Sequence, residues 1–245
     1  MNFLAENILA SRNMKILEKI QQALTEDRLL AYGQDGADLQ LVLARYLWNL
    51  AICESLYTPL QLAEVSLRNS IHLNLTEQFG KRDWYEDIYL LTSWQNDQLT
   101  LAKQKMKKNG KSITTGEIIT ELSLGFWTGF FNKVHVRSGL GHSLAAHVFP
   151  YAPRRKKDLR KIDYRWKRIR DLRNRVFHHE RIIHWKDLDL QYEAIIEVIG
   201  WISPEMHLMS ERLGRFKSIR SQGLGPWVEI VRQISENHIR NDLSS

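Results

Sequence analysis

Arg173, Asn174 and His178 fall within six residues of the segment Arg173-Asn174-Arg175-Val176-Phe177-His178-His179-Glu180. Histidine titrates near neutrality and can take or give a proton, whereas arginine is permanently charged and fork-shaped. Metal-free RNA cleavage needs such groups together. One takes the 2′-hydroxyl proton, one protonates the leaving oxygen, and a cation faces the pentacoordinate phosphate. Around these residues runs a basic stripe. Residues 154–175 hold twelve Lys and Arg (Arg154, Arg155, Lys156, Lys157, Arg160, Lys161, Arg165, Lys167, Arg168, Arg170, Arg173, Arg175) against Asp158, Asp163 and Asp171. A stripe of this kind holds a phosphate chain without reading its sequence, with an affinity that falls with salt. A solvated helix face trading salt bridges with acidic neighbours accounts for it equally well, and arginine followed five residues later by histidine is a weak pattern by itself.

These residues must be positioned by a helix. Ile162, Trp166, Ile169, Leu172 and Val176 recur at helical spacing and predict a basic amphipathic helix over 157–177. On one straight helix, Asn174 and His178 share a face, but Arg173 and His178 are turned about 140° apart. Focusing both on one phosphate therefore requires that the helix end or distort near Phe177, or that two copies of the motif converge across a dimer.

The other segments also read as helices. Periodic apolar residues predict helices over 11–27, with Ser11 as N-cap, and over 37–57. Thr58-Pro59-Leu60-Gln61 has the form of a capping box opening a helix that stops at Gly80. Further helices are expected over 94–109, from Thr115 through Phe131, over 188–202 and 204–213, and after Gly225-Pro226, with a break at 150–153. Strand alternation is absent, no linker divides the 245 residues, and the polar tail 235–245 is expected to fray. The expectation is one all-α domain over 1–245.

Composition bounds the function classes. The chain is 43% hydrophobic, with a net charge of +7 that favours an anionic partner. The single cysteine, Cys53, excludes an internal disulfide and a cysteine zinc site, and its apolar surroundings make it a buried thiol. The first residues lack a secretory pattern and no apolar run approaches a membrane span, so the expected location is the cytoplasm, without membrane contact. His178, His179, Glu180 and His184 do not make a zinc site: His179-Glu180-x-x-x-His184 is one residue too long for the H-E-x-x-H arrangement. No phosphate-cradling glycine loop, dinucleotide fingerprint or serine elbow is present, and no metal or organic cofactor is expected.

Arg173-Asn174-x-x-x-His178 resembles the R-polar-x3-H signature of HEPN domains. Its context resembles the bacterial abortive-infection (Abi-like) branch of that superfamily. Glu64-Val65-Ser66-Leu67-Arg68-Asn69-Ser70-Ile71, Leu122-Ser123-Leu124-Gly125-Phe126-Trp127 and residues 172–181 carry the likeness over about 40–200. The resemblance implies a multi-helix HEPN-like bundle with peripheral helices, and a homodimer with a composite site. In active members it implies metal-independent RNA cleavage by a toxin or antiphage effector, sometimes restrained by an antitoxin. Carried over, Arg173 and His178 match the motif's arginine and histidine, and Asn174 its polar position. His179 is the alternative histidine. Glu180 pairs with Arg175 or Arg181, or hydrogen-bonds a catalytic histidine. Glu64, Arg68 and Asn69 either form a plain ion-pair cluster or orient Arg173 or His178. Arg165, Lys167, Arg168, Arg170 and Arg175 are the RNA-binding candidates. The competing readings are a non-catalytic RNA- or protein-binding helical module on the same basic helix, and a scaffold whose polar motif fixes dimer packing.

Overall fold

The computed structural model describes residues 3–87 and 89–242, with side chains described over 14–87 and 89–236. Among the described residues every regular element is helical and none is a strand. In chain order the α-helices are α1 (Phe3–Leu24), α2 (Glu26–Leu30), α3 (Leu39–Phe79), α4 (Ser93–Lys108), α5 (Thr115–Glu121), α6 (Leu124–Thr128) and α7 (Lys133–Arg137). There follow α8 (Leu140–Val148), α9 (Leu159–Phe177), α10 (Leu188–Ile202), α11 (Pro204–Leu213), α12 (Phe216–Ser221) and α13 (Gly225–Asp242). Short 3-10 turns lie at Trp84–Glu86, Gly129–Phe131 and Arg154–Lys156. The end of the expected frayed tail, 243–245, lies outside the described residues.

The chain divides into two compact units. The first comprises 1–56, 175–188 and 215–245; the second comprises 57–174 and 189–214. The division falls inside α3, next to Pro59, and inside α9, between Asn174 and Arg175.

The first unit is built on Leu17, Leu29, Tyr32, Val42, Leu43 and Val231, with Ile20, Leu24, Leu47 and Trp227 packed around them. The second is built on aromatic residues. Trp84 meets Trp127 and Phe130 edge-on at 6.2 and 5.9 Å, and Phe149 stacks on Trp166 at 6.4 Å. Such pairs add to the burial of ring area. A polar knot is sealed among them. Gln95 is fully buried, takes the Nε2 proton of His135 at 2.7 Å and donates to the Phe126 carbonyl at 3.2 Å. Burial lowers the pKa of His135, which keeps the ring neutral there.

Three expectations change. Thr58-Pro59 does not open a helix, because α3 runs through Pro59 for 41 residues. Leu56, Leu60, Ala63, Leu67, Ile71 and Leu75 are all at most 2% exposed, one buried stripe crossing the proline. Burying that stripe outweighs the roughly 3 kcal/mol that an interior proline costs. The expected helix from Thr115 through Phe131 is broken at Leu122, whose backbone is extended, because the Ser123 hydroxyl caps a new helix by accepting from Phe126 N. The first helix starts at Phe3 rather than Ser11, since residues 5–10 are themselves mostly good helix formers.

Candidate nucleic-acid and catalytic site at the end of α9

α9 forms because its apolar residues share one side. Leu159, Ile162, Trp166, Ile169, Leu172 and Val176 are all buried, which leaves the charged residues for the opposite arc. That arc is not uniformly open to a ligand. Arg165 pairs with Glu197, and its guanidinium lies over the Trp201 ring at 4.8 Å. Lys156 pairs with the same Glu197. Arg170 donates to the Thr128 hydroxyl at 3.3 Å, and Arg168 to the Tyr164 hydroxyl at 3.3 Å. Lys167, Arg160, Lys161 and Arg175 are exposed, though Arg175 is paired with Glu180.

In the second unit, Arg173 sits half-buried in the last turns of α9, its Nε 3.5 Å from the Glu64 Oε2 of α3. Glu64 is thus the acidic neighbour of Arg173, as an ion pair between α3 and α9. Arg68, one turn further along α3, is half-buried with an Nε that has no hydrogen-bond partner, while Asn69 is exposed. Asn174 is exposed on α9.

In the first unit, α9 stops at Phe177 and its backbone closes in a Schellman motif. His179 N donates to Val176 O at 3.1 Å, Glu180 N donates to Arg175 O at 2.9 Å, and His179 has φ of 57°. The same pair of bonds closes α4, with Gly110 at the left-handed position (φ 65°). His179 therefore stands where glycine is usual. His178, the first residue past the helix, and His179 are both exposed. The His179 carbonyl accepts from Arg28. Of the partners considered for Glu180, the structure pairs its carboxylate with Arg175.

A residue not anticipated from the sequence holds the segment that follows. Asn49 of α3 is 1% exposed and turns its amide onto this segment. Its Nδ2 donates to Glu180 O at 3.1 Å, and its Oδ1 accepts from Ile182 N at 2.8 Å and Ile183 N at 3.3 Å. The available signal was an amide inside the apolar run Leu47-Trp48-Asn49-Leu50-Ala51-Ile52, where a buried polar side chain must find partners. Cys53 is buried beside it, and burial pushes its thiol up to about 11, so it stays protonated.

No family model, curated protein or solved structure matches this chain. Among the described residues no three His, Cys, Asp or Glu side chains are grouped to hold a metal ion, and no helix is long and apolar enough to cross a membrane.

Proposed function

We propose that the protein is a metal-independent endoribonuclease of the HEPN Abi-like type, acting as a homodimer with a composite site. His178 moves the proton, taking it from the 2′-hydroxyl or delivering it to the leaving 5′-oxygen. Arg173 faces the charge that gathers on the pentacoordinate phosphate, and Asn174 positions one of the two. As the 2′-oxygen bonds to phosphorus, the bond to the 5′-oxygen breaks, leaving a cyclic phosphate and a 5′-hydroxyl. A second copy would contribute the second histidine that acid–base chemistry uses. An antiphage or toxin role, and a neutralising partner, follow from the same resemblance.

The end of α9 carries this reading. A straight helix would turn Arg173 and His178 away from each other; the helix ends at Phe177, so that constraint does not extend to His178, and Glu64 Oε2 lies 3.5 Å from Arg173 Nε. Exposed cations on the same helix, such as Lys167, suit an RNA backbone. The test is incubation of the purified protein with total RNA in excess chelator, beside an Arg173→Ala/His178→Ala double variant. Cleavage by the wild type alone, leaving cyclic or 3′-phosphate ends, supports the assignment. Cleavage by both places the activity elsewhere.

A second reading is a non-catalytic RNA- or protein-binding module. The exposed Arg160, Lys161 and Lys167 favour it, since they offer charge to a phosphate chain without a proton-transfer group. RNA affinity without turnover, undiminished in the double variant, would decide for it.

A further inference from the structure

The first unit contains an open cleft of about 420 Å³ whose walls include Arg28, Tyr32, Arg175, Glu180, Arg181 and His184. A neighbouring cleft of about 450 Å³ shares Tyr32, Gln34 and Arg181 with it. Tyr32 and Arg181 each carry a buried polar atom with no hydrogen-bond partner among the described residues: the Tyr32 hydroxyl and Arg181 Nε. They are adjacent, with the Arg181 guanidinium 5.9 Å from the centre of the Tyr32 ring. Buried donors are nearly always satisfied, so unmet donors on two neighbouring residues of one cleft wall call for an acceptor.

The surroundings fix what that acceptor is. Among the described residues that line the cleft, Arg28, Arg175 and Arg181 face two carboxylates, Asp27 and Glu180, and Glu180 is engaged by Arg175. Arg28 is held in place by its bond to the His179 carbonyl, which leaves further donors on its five-donor guanidinium. Tyr32 is fixed edge-on against Tyr46 at 5.5 Å. Burial pushes its hydroxyl up to about 12, so it is a donor at neutral pH. Several donors of fixed direction and an excess of guanidinium match an anion with three or more oxygens.

We propose that this cleft binds a phosphate group, with Arg181 and the Tyr32 hydroxyl as its hydrogen-bond donors and Arg28 as a second cation. The group is either a free phosphate anion or the terminal phosphate of a nucleic-acid strand. The site lies wholly within the first unit and does not depend on the nuclease reading.

Calorimetric titration of the full chain with inorganic phosphate, pyrophosphate, a 5′-phosphorylated oligonucleotide and its 5′-hydroxyl counterpart tests this. The wild type should bind at least one phosphate at one site per chain. Tyr32→Phe and Arg181→Gln should each weaken it about tenfold, the effect of one lost hydrogen bond to a charged group. A phosphorylated strand bound more tightly than both inorganic phosphate and its hydroxyl counterpart identifies a strand end; inorganic phosphate bound more tightly than the strand identifies a free anion. Tyr32→Phe keeps the ring and removes only an unpartnered hydroxyl, so it should melt no lower than the wild type. That keeps the test decisive even if Arg181→Gln fails to fold. Absence of saturable binding by all four ligands, or equal affinity in Tyr32→Phe and wild type, overturns the proposal.

Discussion

Asn49→Ala should loosen the segment that follows His178 and His179 more than any surface change nearby. In the wild type the Asn49 amide serves three backbone groups, Glu180 O at 3.1 Å, Ile182 N at 2.8 Å and Ile183 N at 3.3 Å, from a side chain that is 1% exposed. Alanine can serve none of them. Each buried polar group left unpaired costs about 1–3 kcal/mol. The 3.3 Å bond shares its acceptor with a shorter one, so two bonds at about 1.5 kcal/mol each, the lower half of that range, give a loss of about 3 kcal/mol. At 1.4 kcal/mol per decade that is an equilibrium factor of roughly a hundred. Urea denaturation should show the loss as a lower midpoint at unchanged slope, and hydrogen exchange should show it at the Ile182 and Ile183 amides. Asn49→Asp supplies a control: its carboxylate still accepts from both amides but cannot donate to Glu180 O, so protection at Ile182 and Ile183 should persist. A loss under about 1 kcal/mol in Asn49→Ala, with both amides as protected as in the wild type, would refute the clamp.

Other expected outcomes follow from single contacts. His179→Gly relieves the left-handed backbone at φ 57° and should raise stability by up to about 1 kcal/mol, read by thermal denaturation; a loss of stability would mean the His179 side chain contributes more than its backbone costs. His72, His135 and His184 all have folded-state pKa values lowered, chiefly by burial. The unfolded chain therefore binds more protons just below about pH 6.5, and stability should fall as pH drops from 7 towards 5. The paired carboxylates Asp35 and Glu229, held down to about 2, act only at lower pH, so a flat urea midpoint between pH 7 and 5 would contradict the histidine assignment. Lys167→Ala should weaken RNA binding and lessen its salt dependence by about one counterion. Arg165→Ala, by contrast, should mainly cost stability, through Glu197 and Trp201; equal effects of the two on RNA affinity would show that the helix is read by charge alone.

The legible parts of the chain are those where one physical signal dominates. The buried side of α9 followed from apolar spacing, and the expected ranges 188–202 and 204–213 are those of α10 and α11, the second capped by Ser203 Oγ accepting from Met206 N at 3.1 Å. Where two signals compete, the sequence misled. Pro59 looks like a helix start, but the apolar stripe continues through it. The end of α9 carries no glycine, since His179 takes the left-handed position, yet the expected end at Phe177 is the one observed. α7 and α8 are short and their periodicity is too brief to detect. At the site, local residues were readable as a motif, whereas the contacts that position them come from far along the chain: Glu64 to Arg173, Arg28 to the His179 carbonyl, and Asn49 to residues 180–183. No spacing rule encodes these, since the partners in each contact lie more than a hundred residues apart in the chain.

The most direct test of the central claim separates rate from affinity in His178→Ala. Single-turnover cleavage of a labelled RNA in chelator, with binding of the same RNA measured in parallel, gives both. The expected rate is lower by about 10²–10⁴-fold, the contribution of a general acid–base group, with RNA affinity and thermal stability unchanged. Cleavage at the wild-type rate in His178→Ala would contradict it.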